Sequence, residues 1–388
     1  MGNAGAPSRV AFRVVLRRLL LLVLAVVATA WVLPRQVAGR DAAPFYEGRA
    51  EPRNALARSV ALAIRGGVTT SAFHTGNARF DGEWAFGTHQ MAAIGLAQTM
   101  LADRSMRAVL RDDLRRATSG LVAPGTRDFG TIAFGEDGLF HLESAKGHAY
   151  LGYVALALGL ARLADPELPE AALHDRLCAS FERKLAAAPN GVIETYPGEA
   201  YPVDLASIVG ALALHQRVAD VDHRASIERM LALFRTRFRD PSTGLLIQSV
   251  SPSTCDVVDG PRGSGTALGA YFLAFADRGL SLELHRSLVR ALGMNLAGFG
   301  AMREYPSGRS GNGDIDSGPV VLGASVSATG FALASSRLHG DRETFVGLYR
   351  TAHLFGLPVG DSAGFRYVSG GPLGNAILLA MLTAGPGT

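Results

Sequence analysis

The sequence predicts an all-α fold, an (α/α)6 toroid of six helical hairpins preceded by an N-terminal hydrophobic helix. Ala- and Gly-rich segments with little charge recur along the chain, with starts about 55 to 62 residues apart, a period long enough for one helical pair. Amphipathic segments alternate with them, and the connections between the two kinds differ in length according to direction. A plain helical solenoid is the main alternative, but neither end of the repeat has the polar cap that a solenoid normally exposes.

The first kind of segment is apolar on most faces, which is typical of a helix buried on all sides. These segments are Ala85–Leu101, Gly147–Leu163, Asp204–Val218, Gly263–Ala276, Gly318–Leu338 and Leu373–Leu382. In the second kind, apolar residues recur at three- and four-residue spacing, which is typical of helices with one solvent-exposed face. These are Asn54–Arg65, Arg104–Thr118, Pro169–Ala188, His223–Phe238, Ser281–Leu296 and Asp341–Leu354. Six inner and six outer helices would close a ring, and short strands are expected only at Leu245–Val250 and Phe365–Val368.

The N-terminus carries a targeting or anchoring segment. Four arginines precede the apolar run Leu19–Leu33, and a small-residue triplet ends at Ala30, which predicts a cleavable signal peptide. Extended back to Val14, the run has 20 residues, near the length of an uncleaved membrane anchor with its N-terminus inside. Both interpretations place the main domain outside the cytoplasm. The expected division is a signal peptide or anchor at 1–34, a linker without regular structure at 35–53, and the barrel domain at 54–388.

Composition and missing motifs exclude several classes of function. The formal net charge of the 388 residues is +4, and the four arginines near the N-terminus account for it. The rest of the chain has no basic face with interleaved aromatics, so the sequence does not predict nucleic-acid binding. The sequence has no HExxH, clustered His/Cys or calcium-loop pattern, and no GxSxG, phosphate-loop or dinucleotide motif, so we expect neither metal nor cofactor. Cys178 and Cys255 are expected to be free thiols, although a location outside the cytoplasm permits a disulfide.

The connections that lead into the inner helices are long and rich in acids, aromatics and glycine, whereas the opposite connections are short. All six long connections would emerge on one rim, at the N-terminal ends of the inner helices. Long loops gathered on one face of a rigid scaffold usually carry function. The helix N-termini beneath them also favour anionic groups.

The fifth connection, within Glu304–Gly330, places several polar side chains before an uncharged helix of small residues, which is expected to begin near Pro319. The simpler explanation is that Asp316 or Ser317 caps that helix, with Pro319 in its first turn. This explanation leaves the acid Asp314 without a role.

The third connection has Glu194, Glu199 and Asp204 at five-residue intervals, with tyrosines between them, and Asp204 alone has a simple explanation as a helix N-cap. In the first connection, Glu83 stands beside Trp84, a combination that suits a sugar, although solvated loop acids are the alternative.

The six inner helices and the acid-bearing loops, notably ETYPGEAYPVD and GNGDIDSGP, give the chain from Asn54 to Leu382 a resemblance to the six-hairpin glycosidase superfamily and its (α/α)6-barrel relatives. The resemblance is one of architecture rather than of a motif. It implies a hydrolase or polysaccharide lyase acting on carbohydrate. The linalool dehydratase/isomerase-like domain shares the architecture and uses cysteines near its cavity. In this chain only Cys255, in the fourth connection, is placed for such a role.

We therefore expect an extracytoplasmic carbohydrate-active enzyme, a glycoside hydrolase with two carboxyl groups flanking the scissile bond. One acid would come from Glu194 or Glu199 and one from Asp314 or Asp316, with Glu83 next. The expected substrate-binding residues are Trp84, Tyr196, Tyr201, Asp204, Arg262, Tyr305 and Arg309. The expected partners are a carbohydrate or other small molecule and, through the N-terminal segment, a membrane. A lyase or dehydratase/isomerase and a non-catalytic, membrane-tethered glycan-binding protein are the alternatives.

Overall fold

The computed structural model describes residues 9–142, 149–313, 317–361 and 364–385. Its helices are α1 (Arg9–Gly39), α2 (Ala42–Glu47), α3 (Ala50–Arg65), α4 (Ala78–Ala102), α5 (Met106–Val122), α6 (Pro124–Phe134), α7 (Ala149–Ala164), α8 (Ala171–Ala187), α9 (Pro202–Ala219), α10 (Arg224–Thr236), α11 (Gly263–Leu273), α12 (Arg278–Leu292), α13 (Val326–Leu338), α14 (Arg342–Gly356) and α15 (Gly371–Thr383), with a 3₁₀ turn at Thr70–Ala72. Its strands are β1 (Ile247–Val250), β2 (Val257–Pro261), β3 (Gly293–Leu296), β4 (Phe299–Arg303), β5 (Val320–Val321), β6 (Ala324–Ser325), β7 (Pro358–Gly360) and β8 (Phe365–Tyr367).

Two concentric rings of helices form the body of the protein, which confirms the predicted (α/α)6 toroid. The inner helices α4, α7, α9, α11, α13 and α15 pack in chain order, and α15 returns to α4. They run in parallel, since Gly152 and Gly159 of α7 approach Ser207 and Leu214 of α9 in the same order. The outer helices α3, α5, α8, α10, α12 and α14 connect them, so all inner helices begin on one rim.

Glycine lets the inner helices approach closely. A Cβ at Gly210 of α9 would lie 2.7 Å from the carbonyl oxygen of Phe272 in α11, and one at Gly95 of α4 would lie 2.9 Å from the amide of Ala380 in α15. Real Cβ atoms do not come this close to backbone, so only glycine fits at these contacts. The inner helices are therefore rich in small residues because close packing within the ring requires them.

A buried hydrogen-bond network crosses the barrel axis. Tyr271 of α11 donates to Gln98 Oε1 of α4 over 2.9 Å, and these two helices stand opposite each other in the ring. The Gln98 amide donates in turn to the Ala380 carbonyl at 2.8 Å and to Thr383 Oγ1 at 3.0 Å. These residues lie toward the C-terminal ends of the inner helices, so the network fills the axis there, away from the long connections.

The long connections contain more regular structure than we expected. The fourth and sixth form the antiparallel pairs β1–β2 and β7–β8, which confirms the two predicted short strands. The fifth holds a four-stranded antiparallel sheet in the order β3-β4-β6-β5, which the sequence analysis missed. Helix α6 in the second connection was also not predicted.

The start of the fifth inner helix was predicted wrongly. Helix α13 begins at Val326, and Ser325 caps it by accepting a hydrogen bond from the Ala328 amide at 3.1 Å. Pro319 therefore does not occupy its first turn, and neither Asp316 nor Ser317 is its cap. The residues before Ser325 form the β5–β6 hairpin, whose turn has positive φ at Leu322 and Gly323.

The segment 35–53, expected to lack regular structure, is helical and packed onto the barrel. Phe45 of α2 is buried, with its ring centroid 5.6 Å from that of Tyr349 in α14. The physical reason is the apolar pair Phe45–Tyr46, which provides an anchor despite the charged residues around it.

Helix α1 is long and apolar enough to cross a membrane, and its apolar stretch is fully exposed. A signal sequence passes the same test. The last turns of α1 contact the barrel, because the Arg35 guanidinium donates to the Ala297 carbonyl in the β3–β4 turn. The helix continues through Pro34, so the apolar stretch and the docked turns belong to one element.

Candidate active site

Backbone hydrogen bonds join the third, fourth and fifth connections into one continuous part of the rim. Ala200 and Val250 exchange both amide–carbonyl bonds at 2.9 Å, which ties the third connection to β1. The Gly263 amide, at the start of α11, donates to the Glu304 carbonyl at 2.8 Å. Side chains from these three connections are thus held on a common backbone framework, which suits a preorganised site.

A tight turn shapes the third connection. Tyr196 and Glu199 exchange backbone bonds at 3.0 and 2.9 Å around Pro197 and Gly198, and Gly198 has φ +80°. Proline followed by a residue with positive φ is the pattern of a type II turn. The Glu194 carboxylate accepts a hydrogen bond from the Gly198 amide. Glu194 therefore stabilises the turn that presents Glu199.

Aromatic rings surround Glu199. The Tyr201 hydroxyl donates to Glu199 Oε2 at 2.7 Å. The rings of Tyr196 and Tyr201 lie 5.2 Å apart, edge to face, and Phe134 at the end of α6 packs 5.1 Å from Tyr196. A carboxylate held beside half-buried aromatic rings can bind sugar hydroxyls while the rings cover the apolar sugar face.

Asp204 lies in the first turn of α9 and is buried, with 4% of its surface exposed. Tyr153 of α7 donates to Asp204 Oδ1 at 2.6 Å, and the Tyr153 ring packs 5.7 Å from that of Phe272 in α11. Tyr201 occupies the N-cap position of α9, so interpreting Asp204 as the N-cap is wrong. The Tyr153 hydroxyl thus fixes the Asp204 carboxylate at the N-terminal end of α9, inside the barrel rim.

Glu304 is completely buried where the fifth connection meets α11. Its Oε1 accepts the Ser264 hydroxyl at 2.6 Å, and its Oε2 accepts the Ser264 amide at 3.3 Å. The N-terminus of α11 supplies the favourable potential that a buried carboxylate requires. The sequence analysis noted Glu304 in this connection without assigning it to the site.

The basic candidates lie near the same junction. The Arg262 guanidinium donates to Asp259 at 2.6 Å, as expected of a local ion pair, and its central carbon is 5.6 Å from the Tyr305 ring centroid. Arg309 is exposed, and its guanidinium covers Gly260, where a Cβ would overlap it. Arg262 and Tyr305 are therefore brought together, while Arg309 lies against the end of β2.

The first connection contributes a separate group. Glu83 and Trp84 are half-buried in the first turns of α4, and the Trp84 ring meets Phe73 edge-on at 5.9 Å. Asp81 accepts the Thr75 amide and hydroxyl, each at 2.8 Å, and these bonds hold the pKa of Asp81 below its usual range. Asp81 is thus an ionised residue that fixes the loop.

A cleft of about 550 Å³ opens between the first connection and α6, lined by His74, Asp81, Asp128, Phe129 and Ile132 among others. Asp128 and Ile132 were not predicted, because the segment that forms α6 was expected to be an irregular loop. Tyr153 was missed too, and the signal that could have found it was the pair of tyrosine hydroxyls, Tyr150 and Tyr153, in an otherwise apolar inner helix.

Two predicted catalytic residues, Asp314 and Asp316, lie outside the described residues. Both cysteines are free thiols, as expected. Cys255 is buried in the fourth connection, and burial raises the pKa of its thiol, which disfavours the nucleophilic thiolate.

Solved structures contain the same ring of helical hairpins. A family 105 glycoside hydrolase from C. acetobutylicum matches with a TM-score of 0.55 and 13% identity, over 86% of this chain and 99% of that one. An unsaturated glucuronyl hydrolase specific for heparin matches with a TM-score of 0.53 and 9% identity, over 86% and 96%. An inactive α-1,6-mannanase variant from Salegentibacter sp. HEL1_6, in complex with α-1,6-mannotriose, matches with a TM-score of 0.52 and 12% identity, over 84% and 98%.

The fold is that of the six-hairpin glycosidases. At these identities the likeness concerns the six-hairpin fold alone. No family model matches the chain, and no curated protein matches it in sequence.

Proposed function

We propose that this protein is a carbohydrate-active enzyme, a glycoside hydrolase whose site lies on the rim at the N-terminal ends of the inner helices. The observation that supports it best is the third connection and the helix it enters, where Glu199 and Asp204 each accept a tyrosine hydroxyl. Aromatic rings beside carboxyl groups are the chemistry by which proteins hold sugars. The six-hairpin solved structures named above, which include hydrolases of mannan and of unsaturated glucuronyl sugars, support the same class.

The catalytic pair in this proposal is one acid from Glu194 or Glu199 and one from Asp314 or Asp316, with Glu83 as the next candidate. The Tyr201 hydroxyl fixes the orientation of the Glu199 carboxylate, and Glu199 takes the role of base or nucleophile. Glu194 is the weaker of its pair, since it already stabilises the turn. The partner acid must be protonated, and burial among aromatics is the usual way to achieve this.

Substrate contacts follow from the same residues. Tyr196, Tyr201, Tyr305 and Trp84 would cover sugar faces, and Asp204 would accept sugar hydroxyls deeper in the barrel. Arg262, already oriented by Asp259, would bind an acidic sugar or a hydroxyl group, and Arg309 would act from the exposed side of the rim.

We also propose that α1 serves as a signal peptide or signal anchor, which places the barrel outside the cytoplasm. The exposed apolar stretch of α1 and the arginines before it support this assignment. Location would be checked by protease access to the barrel in intact cells against lysed cells. Digestion only after lysis would contradict it.

The test of the hydrolase assignment is release of reducing ends from a glycan panel that includes α-1,6-manno-oligosaccharides and unsaturated glucuronyl oligosaccharides. Glu199→Gln and Asp316→Asn are expected to lose about 10²-fold or more in kcat, the usual effect of removing an acid or base. Asp256→Asn, an exposed acid of the β1–β2 connection, is the matched control and should keep full activity.

Full activity in both Glu199→Gln and Asp316→Asn would overturn the site assignment. A product with an unsaturated sugar and no consumption of water would favour the lyase alternative. Glycan binding without turnover would favour a binding protein, and either result would contradict a hydrolase.

A further inference from the structure

A cluster of buried histidines lies at the end of the barrel opposite the long connections. His174 and Asp175 stand near the start of α8, His215 stands in the last turns of α9, and His223 immediately precedes α10. All three histidines are buried, whereas the Asp175 side chain is half-exposed. The cluster joins three consecutive helices, α8, α9 and α10, at the rim opposite the proposed sugar site.

Three hydrogen-bond contacts link Asp175, His215 and His223 with Glu182 of α8 in a row. His215 Nε2 lies 2.9 Å from Asp175 Oδ1, His215 Nδ1 lies 2.7 Å from His223 Nε2, and His223 Nδ1 lies 2.7 Å from Glu182 Oε1. Ionised carboxylates only accept, so three contacts require three ring hydrogens. Two neutral imidazoles carry only two hydrogens. The three contacts therefore need one positive charge more than two neutral imidazoles supply, carried either by a proton or by a cation.

His174 lies beside this row. It is fully buried, and within the described part of the chain neither of its ring nitrogens has a hydrogen-bond partner. Its ring meets that of His215 edge to face with centroids 4.9 Å apart. One ring nitrogen of each of His174 and His215 and a carboxylate oxygen of Asp175 all lie within 4.8 Å of one another.

We propose that His174, Asp175 and His215 bind a divalent transition-metal ion of the Zn²⁺ type. Two imidazoles and a carboxylate are a common donor set for such ions, with a water completing the tetrahedron. The metal would replace the hydrogen between His215 Nε2 and Asp175. His215 Nδ1–H then donates to His223, and His223 Nδ1–H donates to Glu182, so both imidazoles are neutral and every contact is satisfied. Such a chain behind a metal-bound histidine orients the ligand and raises its basicity.

Charge and distance both bear on the affinity. Arg162 of α7 pairs with Asp175 and opposes the charge of the ion, while Asp175 and Glu182 offset it. Donor atoms around Zn²⁺ lie roughly 3.3 Å apart, since each is about 2.0 Å from the metal, so the donor atoms must approach one another by up to about 1.5 Å. The ion would tie α8 to α9 and act on stability.

The experiment uses the full chain, purified, stripped with a chelator and titrated with Zn²⁺ and Co²⁺. Binding of about one equivalent, a rise in Tm and a tetrahedral Co²⁺ absorption spectrum are expected. His174→Leu should abolish all three, yet leave the Tm of the stripped protein unchanged or higher, because leucine fills the site without an unpartnered nitrogen. His223→Gln should weaken binding by about 10- to 100-fold, the usual effect of losing such a supporting residue.

Asp175→Asn, at a half-exposed position, serves as the second ligand variant if His174→Leu folds poorly, and it should also lose binding. His285→Gln is the matched control, a buried histidine of another repeat bonded to Ser335 and Asp341, and it should keep the metal response. Absence of a metal-induced Tm shift in the unmodified protein would overturn the proposal. An equal shift in His174→Leu or in Asp175→Asn would overturn it as well.

Discussion

His339 illustrates how one hydrogen-bond chain fixes the state of a titratable residue. Ser281 Oγ donates to the Ala270 carbonyl at 2.6 Å, so its oxygen accepts from His339 Nε2 at 2.8 Å. Burial, and then the nearby positive groups His285, Arg278 and Arg286, lower the pKa of His339 to about 4. The folded protein therefore holds this imidazole neutral well below its ordinary pKa of 6.5.

This shift predicts a pH dependence of stability. Between pH 6.5 and 4 the unfolded chain takes up a proton at His339 and the folded chain does not, so the free energy of unfolding falls as the pH falls through this window. Above pH 6.5 the residue contributes no slope. His339→Gln keeps the donor to Ser281 and should flatten the dependence, as measured by urea unfolding at a series of pH values. His141→Gln, at an exposed position, is the control. Identical slopes in the unmodified chain and His339→Gln would contradict this account.

At the scale of elements, close packing of inner helices predicts opposite effects for two glycines. Gly210→Ala should destabilise the protein by about 1–3 kcal/mol, because its Cβ would meet the Phe272 carbonyl of α11. Gly330→Ala is the matched change in α13, where no atom lies within 4 Å of the added carbon, and it should stabilise by roughly 0.5–1 kcal/mol through helix propensity. Chemical denaturation measures both. Equal effects of the two substitutions would show that packing at Gly210 does not limit the ring.

The helices could be read from the sequence because ring packing imposes a pattern on it. Smooth and amphipathic segments repeat with one period, and most predicted bounds lie within a few residues of the observed helices. The fifth connection was read wrongly because the small apolar residues from Pro319 to Ser325 fit a buried helix and a short hairpin equally well. Only the sheet partner β4, which pairs with β6 through Met302–Ser325, decides between them. Such a pairing is not local and leaves no periodic signal.

The candidate site was predictable to a smaller extent than the fold. Loop length and composition led to Glu199, Tyr196 and Tyr201, which the structure gathers, since these residues are close in sequence. Contacts between helices, such as Tyr153 with Asp204, join residues about 50 positions apart and need the fold. The histidine cluster is the same kind of case, because His174 and His215 share no motif and meet only where α8 packs on α9.

At the scale of the whole molecule, the N-terminal region divides between a part that contacts the barrel and a part that does not. The apolar stretch of α1 is exposed, whereas Arg35 binds the β3–β4 turn and Phe45 is buried against α14. Deletion of residues 2–33 should therefore give a barrel that is soluble without detergent and has an unchanged Tm. Phe45→Ala in the same shortened chain should cost about 3–5 kcal/mol, because it empties a buried aromatic site. Calorimetry or thermal circular dichroism compares the three proteins. If the deletion lowered Tm as far as Phe45→Ala does, the apolar stretch would be part of the barrel's fold, and its assignment as a membrane-directed segment would fail.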